Sequence, residues 1–400
     1  MAYPRTRHAR QLLGALVAIA TGVVVTAGPA MAAPAVGEIR LADSPNAVAG
    51  RYIVVLRDAA VGARAGTAQA RVAVPDKAGE LSRRYGGTVT RVYGAAVNGF
   101  AATLSTSAAK RLAAHPDVAY VEQDQAVSIN ATQLNPPSWG LDRIDQRDLP
   151  LNQAYTYPNT ASNVRAYIID TGIRFSHSDF GGRAVSGYDA VDGGSADDCN
   201  GHGTHVAGTV GGATYGVAKG VQLVGVRVLD CYGSGTYAGV IAGVDWVTRN
   251  AVKPAVANMS LGGTASSTLD NAVTNSIVSG VTYAVAAGNS TANACNSSPA
   301  RVPVAITVGA STSTDARAPY SNTGACLDIW APGSSITSAW YTGNTATNTI
   351  SGTSMAAPHV AGAAALVVSV TNWPPNLVRD HLVANATTGK PASPLLFVVN

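Results

Sequence analysis

Residues Val164-Arg165-Ala166-Tyr167-Ile168-Ile169-Asp170-Thr171-Gly172 form an apolar run that ends in an acid and a glycine turn. Such a run, bounded by a turn, reads as a strand buried on both faces, the kind found in parallel sheets. Downstream, strand-like and helix-like segments alternate at 222–229, 236–252, 255–261, 268–279, 281–287 and 305–309. This alternation predicts an α/β domain whose parallel sheet is covered by helices on both faces. Asp170 then stands at the carboxyl end of a strand, where open α/β sheets carry functional groups.

Two further blocks bear on Asp170. In Asn200-Gly201-His202-Gly203-Thr204-His205-Val206-Ala207-Gly208, glycines flank His202, so backbone can pack against it while the ring stays accessible. In Gly352-Thr353-Ser354-Met355-Ala356-Ala357-Pro358-His359-Val360-Ala361-Gly362, a serine lies at the mouth of an Ala-rich run, 362–370, that reads as a buried helix. A helix start offers orphan N–H groups and the positive end of the dipole. A lone serine there is ordinarily only an N-cap. Together, however, Asp170, His202 and Ser354 supply an orienting acid, a base and a nucleophile. Their chain order matches subtilisin and differs from chymotrypsin and the α/β-hydrolases. The His202/His205 pair lacks the acid of H-E-x-x-H, and the glycines of 201–212 fail the G-x-G-x-x-G spacing. The single Asp-Thr-Gly speaks against an aspartic protease, which needs two such carboxylates.

On these three blocks the chain resembles the subtilase family, in its proteinase K-like branch, and is similar to aqualysin-type secreted proteases across residues 131–400. The resemblance implies an Asp170-His202-Ser354 triad, with Asn289 of Ala286-Ala287-Gly288-Asn289 aiming its amide at the developing oxyanion. It makes His205 structural. It implies substrate strands at Gly233-Ser234-Gly235 and Ser260-Leu261-Gly262, which pair with an extended peptide. No charged residue stands at the implied S1 wall of Ala286, Ala287 and Gly288, so apolar or aromatic side chains are expected there. Tyr237 and Val240 would line a more distant apolar pocket. Structural calcium is implied at the carbonyls of Pro303 and Ala305 with the Asp328 carboxylate, hard oxygen donors suited to that ion. A second calcium set falls on Asp142, Asp145 and Gln146, where Asn152 replaces a later acidic ligand of related proteases.

Processing is legible at the start of the chain. Arg5, Arg7 and Arg10, the apolar 12–25 and Ala30-Met31-Ala32 have the order of a secretory signal, 1–32. Residues 51–129 read as strand 51–56, helix 77–85, strand 99–104, helix 107–114 and a last strand in 115–122, a small ferredoxin-like α+β module. By resemblance it is an inhibitor-like propeptide, 33–130, which aids folding and is removed by self-cleavage between Asn130 and Ala131. A slow-folding parallel sheet gives such a template physical sense. The peptidase domain is then 131–400. From Ala131 onward there are 13 Lys+Arg against 15 Asp and no Glu, so the overall +4 belongs to the preceding segments. Nucleic-acid binding therefore has no electrostatic support. By sequence no later segment is expected to be apolar for long enough to span a bilayer. A monomer acting on protein and peptide substrates, without organic cofactor, is expected.

Cys199, Cys231, Cys295 and Cys326 make an even count in an exported chain, which argues for two disulfides. The sequence alone permits three pairings. The resemblance selects Cys199–Cys231 and Cys295–Cys326. A non-enzymatic reading, a degenerate subtilase used as a binding module, would require loss of Asp170, His202, Asn289 or Ser354, and all are present.

Overall fold

The structure is a computed structural model that describes residues 35–44, 47–125 and 131–398. The secretory-signal reading and Asn130 lie outside the described residues. The chain divides into two compact units, Met1–Ala126 and Val127–Asn400.

The first unit is a mixed α+β module. Its five-stranded sheet runs in the order Ile39–Arg40, Val118–Gln125, Ala47–Leu56, Gly99–Thr103, Thr88–Tyr93. Tyr52, Val54, Leu81, Phe100 and Leu112 fill its core. Helices Ala68–Tyr85 and Thr106–Ala113 are capped by the Thr67 and Ser105 hydroxyls, each accepting a backbone N–H of the first turn. The first helix starts at Ala68 rather than at 77. Pro75 lies inside this helix. Strand Thr88–Tyr93 also escaped the sequence reading because its residues are mostly exposed.

The second unit holds a seven-stranded, wholly parallel sheet. Its order is Ile329–Pro332, Ile306–Ser311, Thr282–Ala286, Ala255–Met259, Arg165–Asp170, Gln222–Arg227, Ala184–Asp189. The strands alternate between two cores: Ala166 and Ile168 join one, Tyr167 and Ile169 the other. Helices His202–Gly211 and Thr353–Thr371 contribute to the first core, and Tyr237–Asn250 and Ser267–Val278 to the second. Edge strands 184–189 and 329–332, and helices Trp139–Ile144 and Pro375–Asn385, were not foreseen. From Arg165–Asp170 the chain first runs to the edge strand Ala184–Asp189, returns to Gln222–Arg227 between them, and then crosses to Ala255–Met259 on the other side. That reversal opens a crevice at the carboxyl ends of these strands, the expected place for a site.

Helix Thr353–Thr371 corrects two expectations. It begins well before residue 362, and Pro358 lies within it. Its length and composition would suffice to cross a membrane, but 78% of its most apolar window is buried inside the protein. It is the central core helix.

Candidate active site

Asp170 closes the central strand and is fully buried. Its Oδ1 accepts Nδ1–H of His202 at 2.8 Å and the Thr171 N–H at 2.7 Å. A carboxylate can only accept here, which fixes the proton of the neutral ring on Nδ1 and leaves Nε2 as the basic nitrogen. Two glycines permit the approach. Gly172 has φ +107°, and a Cβ there would lie 2.6 Å from the Ala196 carbonyl oxygen. Gly203, just after the imidazole, leaves room for the Gly172 carbonyl. Burial opposes a charged His202, but the Asp170 carboxylate, by charge and hydrogen bond, and Asp198, by charge, outweigh it. The net effect raises the imidazole above its ordinary value. The His202 side chain is 24% exposed, enough to meet a ligand.

Ser354 is the second residue of helix Thr353–Thr371. Its N–H is among the helix-start donors that find no partner within the helix. Its carbonyl would normally accept the N–H of residue 358, which proline lacks. Ser260 Oγ supplies the missing donor at 2.7 Å and itself accepts from Asn258 Nδ2 at 2.8 Å. The Ser354 hydroxyl in turn donates to the Ser260 carbonyl at 3.1 Å. Among the described residues no hydrogen bond joins Ser354 to His202. Ser260 is thus tied to the serine through two bonds and lines the same cleft as His202.

Asn289 is oriented by Thr353. Its Oδ1 accepts the Thr353 N–H at 2.8 Å and the Thr353 hydroxyl at 2.9 Å. Because an N–H must meet an oxygen, the amide cannot be flipped. Nδ2 is left to donate elsewhere, and a Cβ on Gly352 would stand 3.5 Å from it.

The cleft holds about 500 Å³ and is lined by His202, both segments Gly233–Gly235 and Ser260–Gly262, and the apolar Leu229, Tyr237 and Val240. Ala286, Ala287 and Gly288 are not among its lining residues. Ala287 is fully buried, with its carbonyl held by Asn322 Nδ2 at 2.8 Å. Cys199–Cys231 ties the loop before His202 to the loop carrying Gly233–Gly235, and Cys295–Cys326 forms the other bridge.

For a cation, the two candidate sets differ. Among the described residues no three His, Cys, Asp or Glu side chains converge, so calcium would rely largely on carbonyl and amide oxygens. Asp145 fits: its Oδ1 is buried without a partner, and burial first, with Asp142 adding, pushes its carboxyl up to about 6. Asp142 nearby accepts the N–H groups of Asn152 and Gln153, and Gln146 Oε1 also accepts from Asn152. At the other set, Arg379 already donates to the Pro303 carbonyl at 2.8 Å, so an ion there must share or displace a guanidinium.

Two other histidines are held neutral. His205 bonds the Ile336 carbonyl at 3.0 Å and is pushed by burial down to about 3. His359 bonds the Met355 carbonyl at 2.8 Å and falls to about 4 for the same reason. Unfolded, both would titrate near 6.5, so between that value and the folded ones the unfolded chain binds more protons. Their contribution is therefore complete above pH 6.5 and is lost as pH falls through 4 and 3. Asp145, raised to about 6, opposes this with one proton, and lowered His381 adds to it. The melting temperature is expected to fall steadily from pH 6.5 to pH 5, with a smaller slope in His359→Asn. Calorimetry showing no slope in the parent over that window would contradict it.

The subtilase family profile matches residues 162–398, and the peptidase inhibitor I9 profile matches residues 51–130. An extracellular serine proteinase of Thermus sp. (strain Rt41A) is 53% identical over 396 residues, covering 96% of this chain and 92% of that protein. Alkaline serine exoprotease A of Vibrio alginolyticus is 51% identical over 360 residues, covering 88% of this chain and 67% of that protein. The crystal structure of a cold adapted subtilisin-like serine proteinase superposes with a TM-score of 0.64 at 53% identity, over 69% of this chain and all of that one.

Proposed function

The chain belongs to the subtilase family and is a subtilisin-like serine peptidase with an I9-type inhibitor segment before it, and on that premise we propose a secreted endopeptidase made as a self-processing zymogen. Asp170, His202 and Ser354 form its triad. The observation that carries this reading is the buried Asp170 carboxylate bonded to His202 at 2.8 Å in a cleft shared with Ser260, on which the Ser354 hydroxyl rests.

In the working cycle the Ser354 side chain turns from the Ser260 carbonyl to His202 Nε2. The oxygen attacks the peptide carbonyl as its proton passes to Nε2, and Asp170 stabilises the imidazolium. Asn289 Nδ2 and the Ser354 N–H donate to the resulting oxyanion. His202 returns the proton to the leaving amine, and water then releases the acyl group by the reverse relay. An extended substrate pairs with Gly233–Gly235 and Ser260–Gly262. P1 is expected to take apolar or aromatic side chains, because no charge stands at Ala286, Ala287 and Gly288 beside the residues that line the cleft, and Tyr237 with Val240, which do line it, serves a farther subsite. Hydrolysis of a chromogenic tetrapeptide with Phe at P1, blocked by a sulfonyl fluoride, tests the reading. Hydrolysis that the inhibitor leaves untouched would refute the serine mechanism.

Residues 1–32 act as the export signal, which is in keeping with an extracellular Thermus relative. The inhibitor segment ends at Asn130, and cleavage there frees Ala131. Strand Ala131–Leu134 pairs with Ala154–Tyr157, and Gln133 bonds Thr214 and Lys219, so the new terminus stays anchored in the second unit. The mature protein is a monomer. Before release the segment inhibits the site and aids folding.

Calcium is a structural ion of this protein, held by Asp142, Asp145 and Gln146 and, where Arg379 yields, by Pro303, Ala305 and Asp328. Bound ion would relieve the repulsion between Asp142 and Asp145. Millimolar calcium is expected to raise the melting temperature by several degrees over the chelated protein, since ligand at 100 times its Kd adds about 2.7 kcal/mol. Asp145→Asn should lose most of that gain. An identical melting curve with calcium and with chelator would exclude the ion.

A further inference from the structure

We propose that Asp198 is a positioning residue for the His202 base, clamping the segment that carries the imidazole to the strand end that carries Asp170. The inference rests on the triad reading above. Asp198 is buried just ahead of the His202 helix and accepts five hydrogen bonds. Oδ1 takes the Thr171 hydroxyl and the N–H groups of Asn200 and Gly201, each at 2.9 Å. Oδ2 takes the Thr204 N–H at 2.9 Å and the Thr204 hydroxyl at 2.5 Å.

The partners divide between two elements. Thr171 directly follows Asp170, and its Oγ1 also accepts the Gly203 N–H at 2.9 Å. Gly201 and Thr204 bracket His202 on the other element. One carboxylate therefore ties together the two backbone segments whose side chains form the 2.8 Å acid–base pair. The helix cap at Gly201 has no side-chain acceptor of its own, and Asp198 supplies it from three residues upstream. A neutral amide could not replace it: one of its two terminal atoms would be a donor facing the Thr204 N–H or the Gly201 N–H.

Charge gives the clamp a second effect. The ionisable groups facing His202 are Asp170 on the strand, Asp198 on the loop and His205 on its own helix, and His205 is held neutral. Asp198 is thus the only second anion acting on the imidazolium among these groups, and it remains in place as the imidazole takes up the serine proton.

The test compares the parent with Asp198→Asn and Thr171→Val, using Asp245→Asn on the exposed helix surface as a control for charge removal. Asp198→Asn should lower kcat about 10-fold with KM within two-fold, and move the acid midpoint of kcat/KM downward. Thr171→Val removes the hydroxyl bridge but no charge, so kcat should fall while the midpoint stays. The control should match the parent. If Asp198→Asn loses only thermal stability, with kcat and midpoint unchanged, the residue is merely a cap and the proposal fails. Should that variant not accumulate, an unchanged kcat in Thr171→Val overturns it. A parent without peptidase activity would instead refute the triad reading.

Discussion

Ser354→Ala is expected to lower kcat by about 10⁶, the size found when the serine or histidine of subtilisin is removed. The size follows from what the hydroxyl does. It is the atom that attacks, so its loss removes the covalent route altogether, while cleft, oxyanion donors and substrate strands remain. Those remnants keep roughly 10³ to 10⁴ over water. Binding of a peptide aldehyde's non-covalent analogue should therefore survive the substitution. The fold should survive too, because the hydroxyl gives up only one bond, to the Ser260 carbonyl at 3.1 Å. The Ser354 carbonyl, whose partner is Ser260 Oγ, stays satisfied. In a host lacking other proteases the variant should accumulate with its inhibitor segment attached, whereas the parent yields a terminus at Ala131. N-terminal sequencing separates the two outcomes. A variant processed at the parental rate would show that cleavage is done by another enzyme.

Why the central strand was readable and its neighbours less so has a simple cause. Arg165–Asp170 is buried on both faces beyond its first residue, so residues 166–169 form an unbroken apolar run. Ala184–Asp189 lies at the sheet edge with exposed Val185 and Ser186, and offers no such run. Thr353–Thr371 is buried all round over most of its length, so no polar stripe marks where it starts. A proline such as Pro358 ordinarily marks a helix boundary. Here it does not, because Ser260, 94 positions away, satisfies the carbonyl the proline strands. Asp170, His202 and Ser354 stand out in the sequence because each sits in its own short block: an apolar run ending in a glycine turn, a histidine flanked by glycines, and a serine before an Ala-rich run. The supports around them do not: Thr353 orienting Asn289 and Ser260 beneath the serine depend on bonds between distant segments, and Asp198 reaches the strand of Asp170 only through Thr171, 27 positions away. Local pattern carries no trace of such bonds. The apolar alternation between the two cores, by contrast, is local and so survived the reading.

Asp315→Ala is expected to cost about 3–5 kcal/mol, the usual penalty for leaving a buried charge without its partner. Arg143 is wholly buried, and Asp315 is 4% exposed. The guanidinium donates to both carboxylate oxygens, at 2.6 Å and 3.1 Å, and also to the carbonyls of Gln146 and Arg147. The pair joins helix Trp139–Ile144 to the turn at 312–317, whose Asp315 carbonyl also holds the Ala392 N–H. It thus fastens the start of the second unit to its end. Removing the carboxylate leaves the arginine no solvent to turn to. The melting temperature should fall by on the order of 10 °C, given about 2–4 °C per kcal/mol for a domain of this size. Arg143→Met combined with Asp315→Leu should be less harmful than Asp315→Ala alone, because apolar side chains of similar volume carry no stranded charge. Thermal unfolding of Arg143→Met, Asp315→Leu and their double closes the cycle. If the double loses as much as the sum of the singles, the pair is not coupled, and its burial contributes nothing beyond ordinary packing.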